Sequence, residues 1–112
     1  MPAGAILEGV AKAKAVITYA EISSTLGFPE HKGDWKSHPL CAIFETLDQD
    51  DANHGRPFRT SVVVHADPAN RMPGPGFFEA LERLKGVVCR NVSARQRAWI
   101  SELNAAHQYS WP

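Results

Sequence analysis

Residues 16–51, VITYAEISSTLGFPEHKGDWKSHPLCAIFETLDQDD, decide how this chain is read. A short apolar strand runs into a helix, a turn-rich connection and a second helix. Thr18 and Glu21 have the spacing of a capping box. The threonine hydroxyl accepts the backbone N–H three residues on, and the glutamate reaches back to the cap. That predicts a helix over Tyr19–Leu26 with Ile22 and Leu26 turned inward, ended by Gly27 in the C′ position. FPEHKGDW reads as the turn. Ser37 is the expected cap of the next helix, and Pro39 is tolerated in its first turn. Leu40, Ile43, Phe44 and Leu47 recur at i, i+3, i+4 and i+7, which marks one buried face.

The flanks extend this pair. Ala3, Ile6, Leu7 and Val10 predict a helix over roughly 3–12, and AVIT a short strand after it. Beyond NHGRP, the β-branched run FRTSVVVHA reads as a strand. DPANRMPGPG is a loop by composition. Phe77, Phe78, Leu81 and Leu84 predict a short helix closed by Gly86. Ser93 and Gln96 suggest a second capping box, and Trp99, Ile100 and Leu103 give the last helix its apolar face. The tail HQYSWP is expected to fray. The order is that of a winged helix. The expected fold is α+β, a winged helix–turn–helix with a small β-sheet and two extra C-terminal helices, in a single domain over 1–112. HADPANRMPGPGF is the wing. Leu40, Ile43, Phe44, Leu47, Val62, Val64, Phe77, Leu81 and Leu103 are expected to share one core.

Composition bounds the function. At 112 residues and 44% hydrophobic content the chain can bury a core without staples. Two cysteines, Cys41 and Cys89, make no disulfide framework, so a reducing, cytoplasmic compartment is expected. MPAGAILEGVAKAKA lacks a charged start and reads as helix rather than signal peptide, and no apolar run suits a membrane span. Twelve basic and twelve acidic side chains cancel, which excludes a general polyanion binder. The charges are segregated, however. ETLDQDD (45–51) holds four carboxylates and no base, and RLKGVVCRNVSARQR (83–97) holds five bases and no acid. The five histidines lack metal-ligand spacing, Ser61 and His65 have no third member for a hydrolase triad, and no cofactor is implied.

ITYAEISSTLGFP resembles the segment that opens the helix–turn–helix of the alkylguanine-DNA alkyltransferases and the alkyltransferase-like proteins. RPFRTSVVVHADPANRMPGPGFF is similar to the strand, polar turn and glycine-rich wing of that family. The resemblance covers roughly residues 16–80. It implies a winged helix that binds duplex DNA from the minor-groove side, turns an alkylated guanine into a pocket and serves DNA repair. Tyr19 would then lie by the phosphate of the turned-out nucleotide. The family's reactive Pro-Cys-His-Arg stretch is replaced here by FRTSVVV. Alkyl transfer needs a thiolate, so the chain is not expected to be an enzyme and aligns with the binding-only members. The family's intercalating arginine is also missing from HPLCAIFETLDQDD.

The expected DNA-binding residues are therefore Tyr19, Lys32, Trp35, Lys36, His38, Arg56, Arg59 and Arg71. Lys32, Lys36 and His38 flank a helix N-terminus, Trp35 can stack or wedge, and the arginines extend the contact along the wing. Cys41 and Trp99 read as core residues. The alternative function is a protein-interaction adaptor, of the kind mobile elements carry, whose acidic helix meets a basic partner. Under that reading, replacing Asp48, Asp50 and Asp51 by asparagine abolishes capture of the basic partner and leaves folding intact.

Overall fold

The computed structural model describes residues 2–28 and 38–111. The chain forms α1 (Pro2–Lys12), β1 (Ile17–Thr18), α2 (Tyr19–Thr25), α3 (Pro39–Asn53), β2 (Val63–Val64), α4 (Pro75–Lys85) and α5 (Val92–Gln108). One 3-10 turn over Arg59–Val62 leads into β2, and another covers Pro68–Asn70. Among the described residues this is a mostly helical domain of five helices with a two-residue parallel strand pair. No helix of the described residues is long and apolar enough to cross a membrane.

The local rules hold where they are strongest. The Thr18 hydroxyl accepts the Glu21 N–H at 3.1 Å, and the Glu21 carboxylate accepts the Thr18 N–H at 3.2 Å. Gly27 adopts φ +79° just after α2, and Gly86 adopts φ +70° after α4. Leu40, Phe44 and Leu47 of α3 are buried and Ile43 is half-buried. His38 caps α3, with its ring nitrogen accepting the Leu40 N–H at 3.0 Å, and Pro39 follows it. The expected cap, Ser37, lies outside the described residues.

Several expectations change. The run FRTSVVVHA is mostly not strand. Its first part is the 3-10 turn, and only Val63–Val64 pair, in parallel, with Ile17 opposite Val63 and Thr18 opposite Val64. Among the described residues no β-hairpin forms a wing. The loop is closed by one backbone bond, from the His65 N–H to the Met72 carbonyl, and α4 starts at Pro75 rather than Phe77. Proline suits that first helical position because its missing N–H has no intrahelical partner there. Asn91 caps α5 by accepting the Ala94 N–H, in place of a box at Ser93. The tail does not fray at Trp111, which is buried and donates its indole N–H to the Ala106 carbonyl.

The core is two clusters instead of one. Leu7, Ile22, Leu40, Phe44, Leu47 and Val62 belong to the first, with Leu103 packed against it. Phe58, Phe77, Phe78 and Leu81 form the second, with Trp99 against it. The Trp99 indole N–H donates to the Ser61 carbonyl at 2.9 Å.

Polar groups fasten the C-terminal half of α3. Asp51 is fully buried. It accepts the Arg59 backbone N–H at 2.8 Å and the Arg56 Nε–H at 3.0 Å, and pairs with the Arg59 side chain at 3.1 Å. Asp50 pairs with both arginines. Glu8 of α1 lies 3.7 Å from Arg59. A Cβ on Gly4 would sit 2.9 Å from the Arg59 guanidinium, so α1 approaches the network through a glycine. Asp50 and Asp51 are thus paired with arginine side chains instead of standing as free charges. Asp51→Ala strands buried guanidinium charge, and the expected loss is about 3–5 kcal/mol. Urea denaturation measures it. An unchanged midpoint would show that the network contributes nothing to stability.

Candidate functional site

A cleft of about 890 Å³ opens between α2, α3, the 3-10 turn at Thr60 and the start of α4. Tyr19, Phe44 and Phe77 give it aromatic walls. Asp48 and Thr60 lie at its buried floor, and Glu45, Glu79 and Arg83 are exposed at its edge.

Each side chain is placed by its element. Tyr19 is the first residue of α2, directly after β1. Its hydroxyl accepts the Gly74 N–H at 2.7 Å. Its ring lies against His65 at 5.1 Å and Phe44 at 6.1 Å, centroid to centroid. A Cβ on Gly74 would sit 3.4 Å from both the Tyr19 hydroxyl and His65 Nε2, so these two polar tips converge over the glycine. Burial pushes the Tyr19 phenol up to about 12, against the Gly74 N–H and with the Asp48 charge. It therefore stays protonated at neutral pH.

At the floor, the Thr60 hydroxyl donates to Asp48 Oδ1 at 2.6 Å. Both residues are buried. Burial lifts the Asp48 carboxyl from 3.8 to about 7. The Thr60 hydrogen bond and Arg83 oppose that rise, while Asp51 and Glu102 add to it.

Few of the sequence-predicted residues meet here. Tyr19 does. Arg59 is 8% exposed and Arg56 is half-buried, and both are tied to Asp50 and Asp51 instead of facing outward. Arg71 is exposed on the loop before Gly74. His38 is the cap of α3. Lys32, Trp35 and Lys36 lie outside the described residues. Cys41 is not a core residue: it is half-buried in the cleft wall, 3.7 Å from a Glu45 oxygen. His65 lines the cleft but Ser61 does not, so that pair does not converge. Among the described residues no group of three or more His, Cys, Asp or Glu side chains forms a metal set.

Asp48, Thr60, His65 and Gly74 were missed as site residues. A signal for the first existed. Asp48 follows Phe44 by four residues, on the same helical face as Leu40 and Leu47, and a carboxylate on an apolar stripe is a buried carboxylate. Thr60 and Gly74 carry no local signature. No family model, curated protein or solved structure matches this chain.

The raised Asp48 ionisation has a consequence for stability. The folded state binds this proton more tightly than the unfolded chain does. The contribution of Asp48 is therefore fully present below about pH 4 and is lost as pH rises through about 7. Asp48→Asn keeps an acceptor for Thr60 and cannot ionise. Relative to this variant, the parent is expected to lose stability steadily from pH 4 to pH 8 in thermal melts. Parallel pH profiles would contradict the burial argument.

Proposed function

We propose that this domain binds nucleic acid without transforming it, and holds an unstacked base in the cleft beside Tyr19. In this reading α2 and α3 form the helix–turn–helix, and loop 65–74 stands where a winged helix has its wing. Duplex DNA, plain or alkylated, is the partner. The observation that carries the reading is the cleft itself. Its walls are aromatic and its floor is polar, which suits a flat heterocycle that stacks on its faces and hydrogen-bonds at its edge. The inward pairing of Asp50 and Asp51 supports it, because those carboxylates no longer repel phosphate as free charges. Arg71 on the loop, with Lys32 and Lys36, supplies the backbone contacts.

A second reading has one observation in its favour. Glu45 and Glu79 stand exposed at the edge of the cleft. They suit a cationic side chain of a basic protein partner. The contact would then be made by Glu45 and Glu79, and not by Asp50 and Asp51, which the fold consumes.

Anisotropy with a labelled duplex carrying one unpaired or alkylated base separates the two. Three phosphate contacts predict an affinity loss of about tenfold or more between 50 and 200 mM salt, from about 0.9 log unit per log unit of salt for each contact. Lys36→Glu and Arg71→Glu should weaken every duplex alike. Tyr19→Phe removes the hydroxyl that holds Gly74 and should act mainly on the duplex with the unpaired base. Absence of binding at 50 mM salt would eliminate the nucleic-acid reading. Capture of a basic peptide that Glu45→Gln with Glu79→Gln abolishes would then favour the second.

A further inference from the structure

The carboxyl at the floor of the cleft is only half used by the protein. Asp48 is 4% exposed, yet it lines the cleft. Its Oδ1 accepts from the Thr60 hydroxyl. Among the described residues, no other group hydrogen-bonds to this carboxyl, and no cation pairs with it within 4 Å. The ion network next door stops at Asp50 and Asp51. A carboxyl removed from water with a spare oxygen is costly to keep unless something else meets it.

From this placement we infer that Asp48 reads the base held in the cleft, through Oδ2, and that it selects bases carrying an exocyclic amino group. The inference rests on the reading that the cleft takes an unstacked base. Aromatic walls accept any base by its face. Discrimination must come from a group that meets the edge, and Asp48 is the most deeply buried polar group of the lining that has an oxygen to spare. Thr60 holds Oδ1 as an acceptor in either protonation state. Only Oδ2 changes role. Ionised, it accepts from an amino N–H. Protonated, it donates to a ring nitrogen or a carbonyl.

Both states are reachable near neutral pH, because burial sets this carboxyl at about 7. The charged and titratable groups around it come from every neighbouring element. Asp51 lies on α3, Arg83 on α4, Glu102 on α5, and Tyr19 at the start of α2. His65 follows β2, and Glu45 and Glu79 stand at the edge. Selection for the amino group should therefore strengthen as pH rises from 6 to 8.

The test uses the full chain and one duplex with a single target base opposite an abasic site. The target is adenine, or unsubstituted purine, which lacks only the amino group. At pH 8 adenine should bind about tenfold tighter, as expected for one hydrogen bond to a charged acceptor. At pH 6 the ratio should fall toward one, since a protonated Oδ2 donates to either ring. Asp48→Asn presents an amide N–H to the cleft at both pH values, so its ratio should stay near one throughout. Circular dichroism confirms that the variant is folded. A parent ratio near one at pH 8, a ratio that ignores pH, or one that survives in Asp48→Asn overturns the role of Asp48. In each case binding of the duplex itself persists and the proposed function stands. Loss of all duplex binding at 50 mM salt overturns both.

Discussion

The fold turns on a buried carboxylate held by a buried guanidinium. Asp51 comes from the C-terminal half of α3, where a negative charge opposes the helix dipole. Exposed, it would weaken the helix. Buried against Arg59 and Arg56, it joins the end of α3 to the chain that follows. The backbone N–H of Arg59 is part of the same contact, so the clamp fixes main chain as well as side chain. Arg59 also reaches Glu8 on α1, past a glycine that leaves room for it. The end of α3, the turn eight residues on and the distant helix α1 meet at one charge cluster. The residue after Arg59 is Thr60, and the clamp thereby sets the floor of the cleft.

The same helix thus carries two buried carboxyls with opposite fates. Asp51 sits among guanidinium groups. Asp48, one turn earlier, meets a hydroxyl and, among the described residues, no cation within 4 Å, and burial lifts it toward neutrality. Environment alone separates two identical side chains, and groups separated in this way mark sites where protonation matters. The acidic character of ETLDQDD therefore describes a surface only in part. Of its four carboxylates, Asp48 and Asp51 are buried, Asp50 is half-exposed and Glu45 is exposed.

The helices were legible wherever a local rule and the tertiary packing agree. The Thr18–Glu21 box, the glycine stops and the stripe of α3 are of this kind. The strand at FRTSVVVHA was misread because its β-branched composition is a packing preference, while Arg59 must curl toward Asp51. The wing failed for a related reason. Pro73 and Pro75 remove ladder donors, and Pro75 is better placed as the first residue of a helix. Charge alone marks Arg56 and Arg59 as phosphate ligands and says nothing about partners five to nine residues upstream. The i, i+3, i+4, i+7 pattern restarted at Phe44 falls on Leu47, Asp48 and Asp51, and marks both carboxylates as inward-facing.

The smallest element explains why Tyr19 and His65 meet in the lining of the cleft. Two residues of β1 pair with two of β2, with Thr18 opposite Val64. The next residue on each strand is Tyr19 on one side and His65 on the other. Parallel pairing makes both chains leave the sheet in the same direction, so these two rings emerge side by side, in contact at a tilt of 39°. An antiparallel pair would have sent them to opposite ends. His65 then begins the loop that returns through Met72, and Gly74 arrives under the Tyr19 hydroxyl. Thr18 caps α2 in the same turn of chain. Tyr19 is therefore held by a strand register, a helix cap and a loop contact at once.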